Sequence, residues 1–369
     1  MPEKFLKPIE QLQPAINEAE IPIATPVFPV PAPPGPGQAI EIVPGVYWLS
    51  TFLPFRLRAV NLWLLRDGDA WTMVDCGFPL PEVRQQIEAA WDAVLDGRPI
   101  HRLFVTHFHP DHAGNCRWIC ERWGIVPTMT SREHAQSEFL LGKRWQESSS
   151  ARVDFWRKHG LPREEAAEVE RSWSLHRGLF APPPERWQPV ADGDLLQTGD
   201  SEWKVIVAGG HAPEQALLYS KQRNLLISGD QVLPQITPNI SVRFEDPSAE
   251  PLTQFLESNR RIAQLCGDAM VLPSHKLPFS GLQARIKKIE RHHEERCELI
   301  ERALKSGRHS AASLIPVLFG DTMGLTGHDI GFALGESLSH LHYLVAQGRA
   351  TAQEEAGAIT FGRAEPGQR

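Results

Sequence analysis

Four side chains able to hold metal ions crowd into one short segment of this chain, VTHFHPDHAGN, residues 105–115. His107 and His109 stand at alternate positions where an apolar stretch ends. In extended backbone, alternate side chains project to the same side, so this pair can grip one ion. Asp111 and His112 open the turn that follows and face a second ion beside the first. A single match of this kind arises by chance, so the reading depends on further donors in similar settings. His211 follows WKVIVAGG, Asp230 closes NLLISGD and His275 closes AMVLPSH. Each marks the C-terminal end of an apolar strand, the edge at which α/β sheets place their sites.

The elements that must carry these donors are legible as alternating patterns. From Ile40, EIVPGVYWLS and AVNLWLLRDGDAWTMVDCG read as short apolar strands, the last two joined at Asp67-Gly68-Asp69. PLPEVRQQIEAAWDAVLDG places Val83, Ile87, Ala90, Trp91 and Val94 on one helical face, and PIHRLFVT is a buried strand. Strand, helix, strand is an α/β arrangement. Residues 131–186 instead carry helical periodicity in EHAQSEFLLGKRWQ and PREEAAEVERSWSLHRGLF, which predicts a helical insertion. Strands resume at WKVIVAGG, ALLYS and NLLISGD, followed by a helix through PLTQFLESNRRIAQLC and the strand AMVLPSH.

Two flanking regions differ in composition. Residues 1–39 end in IPIATPVFPVPAPPGPGQA, too rich in proline for a helix or a central strand, and are expected to form an extended strap or a loose arm. After residue 282, a charged helix carries Ile286, Ile289, His293, Cys297, Ile300 and Leu304 on its inner stripe. Two further helices and a terminal hairpin follow. Three helices with a hairpin predict a winged-helix-like module over residues 283–369, with the catalytic unit at 40–282. In that module His292, His293, His340 and His342 are expected not to ligate metal.

Taken in order, VPGVYWL, VNLWLLRDGDAWTMVDCG, THFHPDH, GGHAPEQ, LISGD and LPSH resemble the metallo-β-lactamase superfamily over about residues 40–280. The resemblance implies an α/β fold, a four-layer αβ/βα sandwich, here with a helical insertion and the appended C-terminal module. It implies His107, His109 and His211 on a first metal, Asp111, His112 and His275 on a second, and Asp230 bridging. Asp75, in VDCG, would support the metal loop. Glu214 and Gln215 depart from the family's commonest Pro-Gly-His wording, and would shape the pocket rim or form a solvent-facing turn.

Two close divalent cations, zinc first and manganese or iron as alternatives, lower the pKa of a shared water toward about 7 and polarise the scissile bond. Hydrolysis of a small ester-like bond is therefore expected, thioesters first and lactones or β-lactams after them, with Asp111 and Asp230 as the catalytic carboxylates. A metal-dependent ribonuclease or phosphodiesterase and a mononuclear iron oxygenase of the persulfide-dioxygenase kind share much of this motif.

Bulk properties narrow the partners. A formal charge of −7 gives no footprint for nucleic acid, and the C-terminal module alternates basic with acidic residues, which suits packing or a homodimer contact better than DNA reading. No stretch reaches the roughly 18 apolar residues of a membrane helix, and the N-terminus has no apolar secretory core, so a cytoplasmic protein acting on a small molecule is expected. Five scattered cysteines are an odd number and predict reduced, buried thiols. In the insertion, Phe139, Trp145, Phe155, Trp156 and Trp173 line a channel or fill a core. Arg132, Lys143, Arg144, Arg152, Arg157 and Lys158 receive an anion or form a solvated face.

Overall fold

Apolar runs with no polar face, such as AVNLWLL, form strands only where both sides of the sheet are covered. The computed structural model, which describes residues 26–55, 57–320 and 324–364, shows how that is met. The first sheet runs in chain order through β1 (Ala39–Val43), β2 (Val46–Phe52), β3 (Ala59–Asp67), β4 (Ala70–Val74), β5 (Ile100–Phe104), β6 (Pro127–Met129) and β7 (Gln188–Pro189). β1 to β4 pair antiparallel, and from β4 onward the pairing is parallel. The second sheet has β8 (Leu195–Thr198), β9 (Ser201–Ala208), β10 (Gln215–Ser220), β11 (Leu225–Gly229) and β12 (Met270–Pro273), in the order β12-β11-β10-β9-β8.

Period-two alternation sends Trp48, Trp63, Val74 and Phe104 to the inner face of the first sheet. There they meet Trp203, Val205, Leu218, Ile227 and Leu272 of the second. Trp48 and Trp63 are cross-strand partners with stacked rings 6.2 Å apart. On the outer face, Leu49, Leu62, Leu64 and Met73 pack against α1 (Pro81–Val94) and, beyond the short α2 (Pro110–Ala113), α3 (Cys116–Trp123). The layers are thus helix, sheet, sheet, helix, the sandwich expected. On the predicted face of α1, Val83, Ile87, Ala90 and Trp91 are buried, and Val94 packs at the rim.

The insertion forms α4 (Ser131–Leu141), α5 (Lys143–Glu147), α6 (Ser149–Lys158) and α7 (Arg163–Arg177). Beyond the second sheet lie α8 (Pro251–Cys266), α9 (Leu282–Leu304), α10 (Ile315–Phe319), α11 (Gly327–Ala346) and the hairpin of β13 (Ala350–Glu355) and β14 (Ala358–Arg363). One apolar cluster runs from Ile206, Leu217 and Leu226 through Phe255 and Ile262 of α8 to Ile289, Ile300, Leu334 and Leu341, and takes in Phe155, Trp156 and Val169 of the insertion. Residues 282–364 therefore share their core with the second sheet. Every residue of the stripe predicted for α9 is buried. All five cysteines are buried and free.

Of the proline-rich arm, residues 1–25 lie outside the described residues. Val27 exchanges two backbone hydrogen bonds with Ser280, 3.1 and 2.8 Å, and Phe28 packs on the core, so this part is a strap on the domain. β6, β7 and β8 are strands the sequence pattern does not reveal. β6 has only three residues, all buried, and Leu195 of β8 is exposed, so neither shows a period. Among the described residues, no helix is long and apolar enough to cross a membrane.

The turn that delivers His211 depends on a glycine. Gly210 has φ +112°, and a Cβ there would strike the Phe255 Cβ and lie 2.6 Å from the Pro251 carbonyl at the start of α8. Gly210→Ala is expected to cost about 3 kcal/mol or more, read as a lower urea midpoint with an unchanged slope.

Candidate metal centre

All seven predicted donors converge. They form two groups, His107, His109, His211 and Asp230 in one and Asp111, His112 and His275 in the other, with the donor atoms of each group mutually within 4.8 Å. The loop after β5 and the short α2 bring His107, His109, Asp111 and His112 to the edge where β9, β11 and β12 deliver His211, Asp230 and His275, so the centre straddles the ends of both sheets. Asp230 faces both ways. Its Oδ2 lies 3.3 Å from His211 Nε2 and 4.0 Å from His107 Nε2, while its Oδ1 lies 3.5 Å from His112 Nε2 and 3.4 Å from His275 Nε2. Asp111 Oδ2 is 3.6 Å from His112 Nε2 and 3.4 Å from His275 Nε2. His109 turns its Nδ1 inward, 2.9 Å from His107 Nε2.

Outer hydrogen bonds hold the rings. Asp75 takes a left-handed backbone, φ 60°, at the end of β4. Its carboxylate accepts from the Thr106 amide at 2.7 Å and the Thr106 hydroxyl at 2.8 Å, and meets His112 Nδ1 at 2.8 Å. Thr106 Oγ1 is in turn 3.0 Å from His107 Nδ1. His211 Nδ1 lies 2.8 Å from the Asn239 carbonyl, and His275 Nδ1 lies 2.8 Å from the Ala59 carbonyl. A carbonyl only accepts, so each of these Nδ1 atoms carries the proton and each Nε2 lone pair points into the centre.

The residues fit divalent cations. The Nε2 atoms of His112, His211 and His275 and Oδ1 of Asp230 are buried without a hydrogen-bond partner. Each such atom costs about 1–3 kcal/mol if left bare, and cations placed among them satisfy all four. Burial, with neighbouring imidazoles, holds His107 and His109 well below the usual histidine range, so they are neutral donors at pH 7. Burial would raise Asp111, but His112 and His275 outweigh it and hold the carboxyl at about 2. Burial would lower His112, but Asp111, Asp230 and Asp75 outweigh it and raise the imidazole to about 9.

Other expectations resolve differently. Gln215 neither rims a pocket nor faces solvent: it is buried at the start of β10, where Nε2 donates to the Ser228 carbonyl at 3.0 Å, beneath the turn carrying Asp230. Glu214 is half-buried, and its backbone amide donates to Glu133 Oε1 at 2.6 Å. The insertion's basic residues are largely engaged within the chain. Arg152 is buried in a bidentate pair with Glu170, Arg157 faces Asp154 at 3.6 Å, Lys158 meets Glu354 at 2.9 Å, and Arg144 lies over the Phe139 ring. Arg132 stands 3.9 Å from Glu214, and Lys143 opens α5 exposed to solvent. Its aromatics are packing residues too: Trp145 lies under Arg152, Phe139 meets Phe244, Phe155 and Trp156 are core, and Trp173 packs on His328 and Phe332 of α11. His293 Nδ1 and His340 Nε2 face each other at 3.1 Å, and His342 Nδ1 donates to the Ala249 carbonyl at 2.8 Å.

Several residues at the centre escape a reading by motif. Glu133 follows Thr130 at the spacing of a helix cap, and Thr130 does cap α4. The Glu133 carboxylate, however, accepts from the Phe108 amide at 3.0 Å as well as from Glu214, tying the two donor loops together. Asn61 interrupts an apolar strand. Its Nδ2 donates to the carbonyls of Pro273 and Lys276, both at 2.8 Å, fixing the loop that carries His275.

Residues 55–275, well over half of the chain, match the family described as the metallo-beta-lactamase superfamily. The chain belongs to that superfamily. Residues 297–364 match its C-terminal domain, described as metallo-beta-lactamase-like. Among solved structures, a beta-lactamase domain protein from Burkholderia ambifaria is 36% identical, with a TM-score of 0.82 over 92% of this chain and 98% of that one. A metallo-beta-lactamase family protein from Thermus thermophilus is 26% identical, with a TM-score of 0.73 over 88% of this chain and 100% of that one. The probable metallo-hydrolase YqjP of Bacillus subtilis strain 168 is 24% identical over 84% of this chain and 94% of that protein. The acyl-coenzyme A thioesterase MBLAC2 of Homo sapiens is 26% identical over 51% of this chain and 63% of that protein.

The electrostatics of this superfamily member set a pH dependence. In the metal-free protein His112 contributes stability that is complete below its unfolded value of about 6.5 and is lost as pH rises through about 9. A bound cation replaces that proton, so the rise in melting temperature on adding zinc is expected to grow between pH 6 and pH 9. A rise that shrank over the same range would contradict the assignment.

Proposed function

We propose that this metallo-beta-lactamase superfamily hydrolase cleaves a thioester whose thiol portion is anionic, using two divalent cations. The observation that carries the reading is Asp230, whose two carboxylate oxygens face different imidazole groups. His107, His109 and His211 would hold one cation and Asp111, His112 and His275 the other, with Asp230 between them. Such a pair supplies hydroxide at neutral pH and polarises the scissile acyl oxygen.

The chain's own groups supply the remainder. Asp111, ionised at neutral pH, would take the proton released as the water-derived oxygen becomes the product carboxylate and pass it to the departing thiolate, a task suited to a carboxylate held at the centre. Arg243 stands beside it: Nη2 donates to the His211 carbonyl at 3.1 Å, and the guanidinium lies 5.1 Å over the Phe108 ring. Among the described residues Arg243 forms no ion pair, which leaves it to receive a negative group of the substrate. Phe108 and Phe180, parallel with centroids 6.2 Å apart, offer an apolar wall for the acyl part. The name of MBLAC2 supports this bond class. Several basic residues of the C-terminal segment pair with acids, Arg349 with Glu294 and Glu301 and Arg302 with Glu298, which argues against a phosphate-tracking surface.

Elemental analysis of the purified protein, with turnover on thioesters, lactones and a β-lactam before and after chelation, tests the reading. About two ions and chelator-sensitive thioester cleavage are expected. One iron with oxygen uptake would overturn it. Arg243→Ala is expected to raise KM for an anionic thioester roughly ten-fold or more, the loss of one charge-assisted hydrogen bond, and to raise that for a neutral thioester far less. Asp111→Asn is expected to lower turnover about a hundred-fold or more. Retained metal with near-normal turnover would remove Asp111 as the proton carrier.

A further inference from the structure

The carbonyl that orients His211 belongs to a loop the catalytic unit does not hold by itself. Asn239, whose carbonyl accepts from His211 Nδ1, sends its side chain away from the centre, and Nδ2 donates to Glu336 Oε2 on α11 at 3.0 Å. Glu336 Oε1 accepts from Arg296 Nη1 on α9 at 3.0 Å, and both members of this pair are buried. One link inside the same loop and one to α11 add to this. Ser241 Oγ donates to Asn239 Oδ1 at 2.5 Å, and the Val242 amide donates to the Gly335 carbonyl at 3.1 Å. The approach is so close that a Cβ on Gly335 would lie 2.7 Å from Ser241 Cβ and 3.2 Å from the Val242 carbonyl oxygen. Arg243, next along the loop, returns to the His211 carbonyl.

We infer that the C-terminal segment sets the metal affinity of the centre through the chain Arg296–Glu336–Asn239–His211, with Glu336 as a positioning residue. Of the four outer contacts on the imidazoles, those from Asp75, Thr106 and Ala59 come from the first sheet and its loops, and only the one to His211 is anchored on α9 and α11. A buried ion pair at this spot is weak support for stability, because desolvation offsets its attraction. Its geometric value is to hold the Asn239 amide in one orientation, and with it the carbonyl that fixes the His211 tautomer. The inference rests on the two-cation reading of the centre.

The test uses the full-length protein stripped of metal, with stepwise zinc affinities from competition with a chromophoric chelator and the visible spectrum after cobalt loading. Gly335→Ala adds a methyl group that favours the helix itself yet displaces the loop, while Asn239→Ala cuts the tie and leaves the Arg296–Glu336 pair intact. Phe361→Leu, a core change in β14 away from the loop, controls for lost stability. In Gly335→Ala and Asn239→Ala one of the two affinities is expected to fall about ten- to a hundred-fold with an altered cobalt spectrum, the other moving far less. Phe361→Leu is expected to lower the melting temperature and spare both affinities. Unchanged affinities in both loop variants, or equal losses at both sites in step with melting temperature, would overturn the inference and leave the metal centre standing. A wild-type protein that binds no zinc or cobalt would instead overturn the centre itself.

Discussion

Asp230 must present an oxygen to each of two imidazole groups while buried among them, and no arrangement of one sheet alone can surround it in that way. The carboxylate arrives from the end of β11, His107 and His112 come from the loop and short α2 after β5 in the other sheet, and His211 and His275 approach from β9 and β12. The distances of 3.3 to 4.0 Å between Asp230 and these rings exist only when the two sheets are packed and in register. The inner core of Trp48, Trp63, Trp203 and their neighbours is therefore a condition for the chemistry as well as for the fold.

Holding unpaired donors in a dry space requires support from behind. Asp75 and Thr106 brace His112 and His107, Asn61 ties down the loop of His275, and Glu133 joins the loops around Phe108 and Glu214. Burial raises the Glu133 carboxyl to about 6, against the two amides that favour its charge. That balance is one a residue keeps only where its hydrogen bonds are needed. The left-handed backbone at Asp75 is of the same kind, strain located where a side chain must be aimed.

The insertion and the C-terminal segment act as buttresses. Trp173 packs on α11, and Arg152 and Glu170 neutralise each other inside the insertion. The apolar cluster that starts on the second sheet continues without a break through α8, α9 and α11. The outer face of the second sheet is thereby a core, which gives the C-terminal helices mechanical access to the loop of Asn239.

The sequence by itself determined which donor side chains gather at the centre and the order of elements. The seven donors lie at or just beyond the ends of four apolar runs, and this pattern is local, since period-two alternation and strand ends need no knowledge of the partner sheet. The amphipathic stripes of α1 and α9 were legible for the same reason. Asn61 also left a mark, as a lone amide in an otherwise apolar strand. The role of Glu133 was hidden behind its cap spacing, Gln215 read as a loop residue, and Arg243 and Asn239 sat in a segment without periodicity. The functions of these four residues are contacts across 13 to 97 positions of chain, such as Asn239 with Glu336. Only tertiary packing decides such contacts, because a side chain's partner is set by which surfaces fold together and not by its neighbours in sequence.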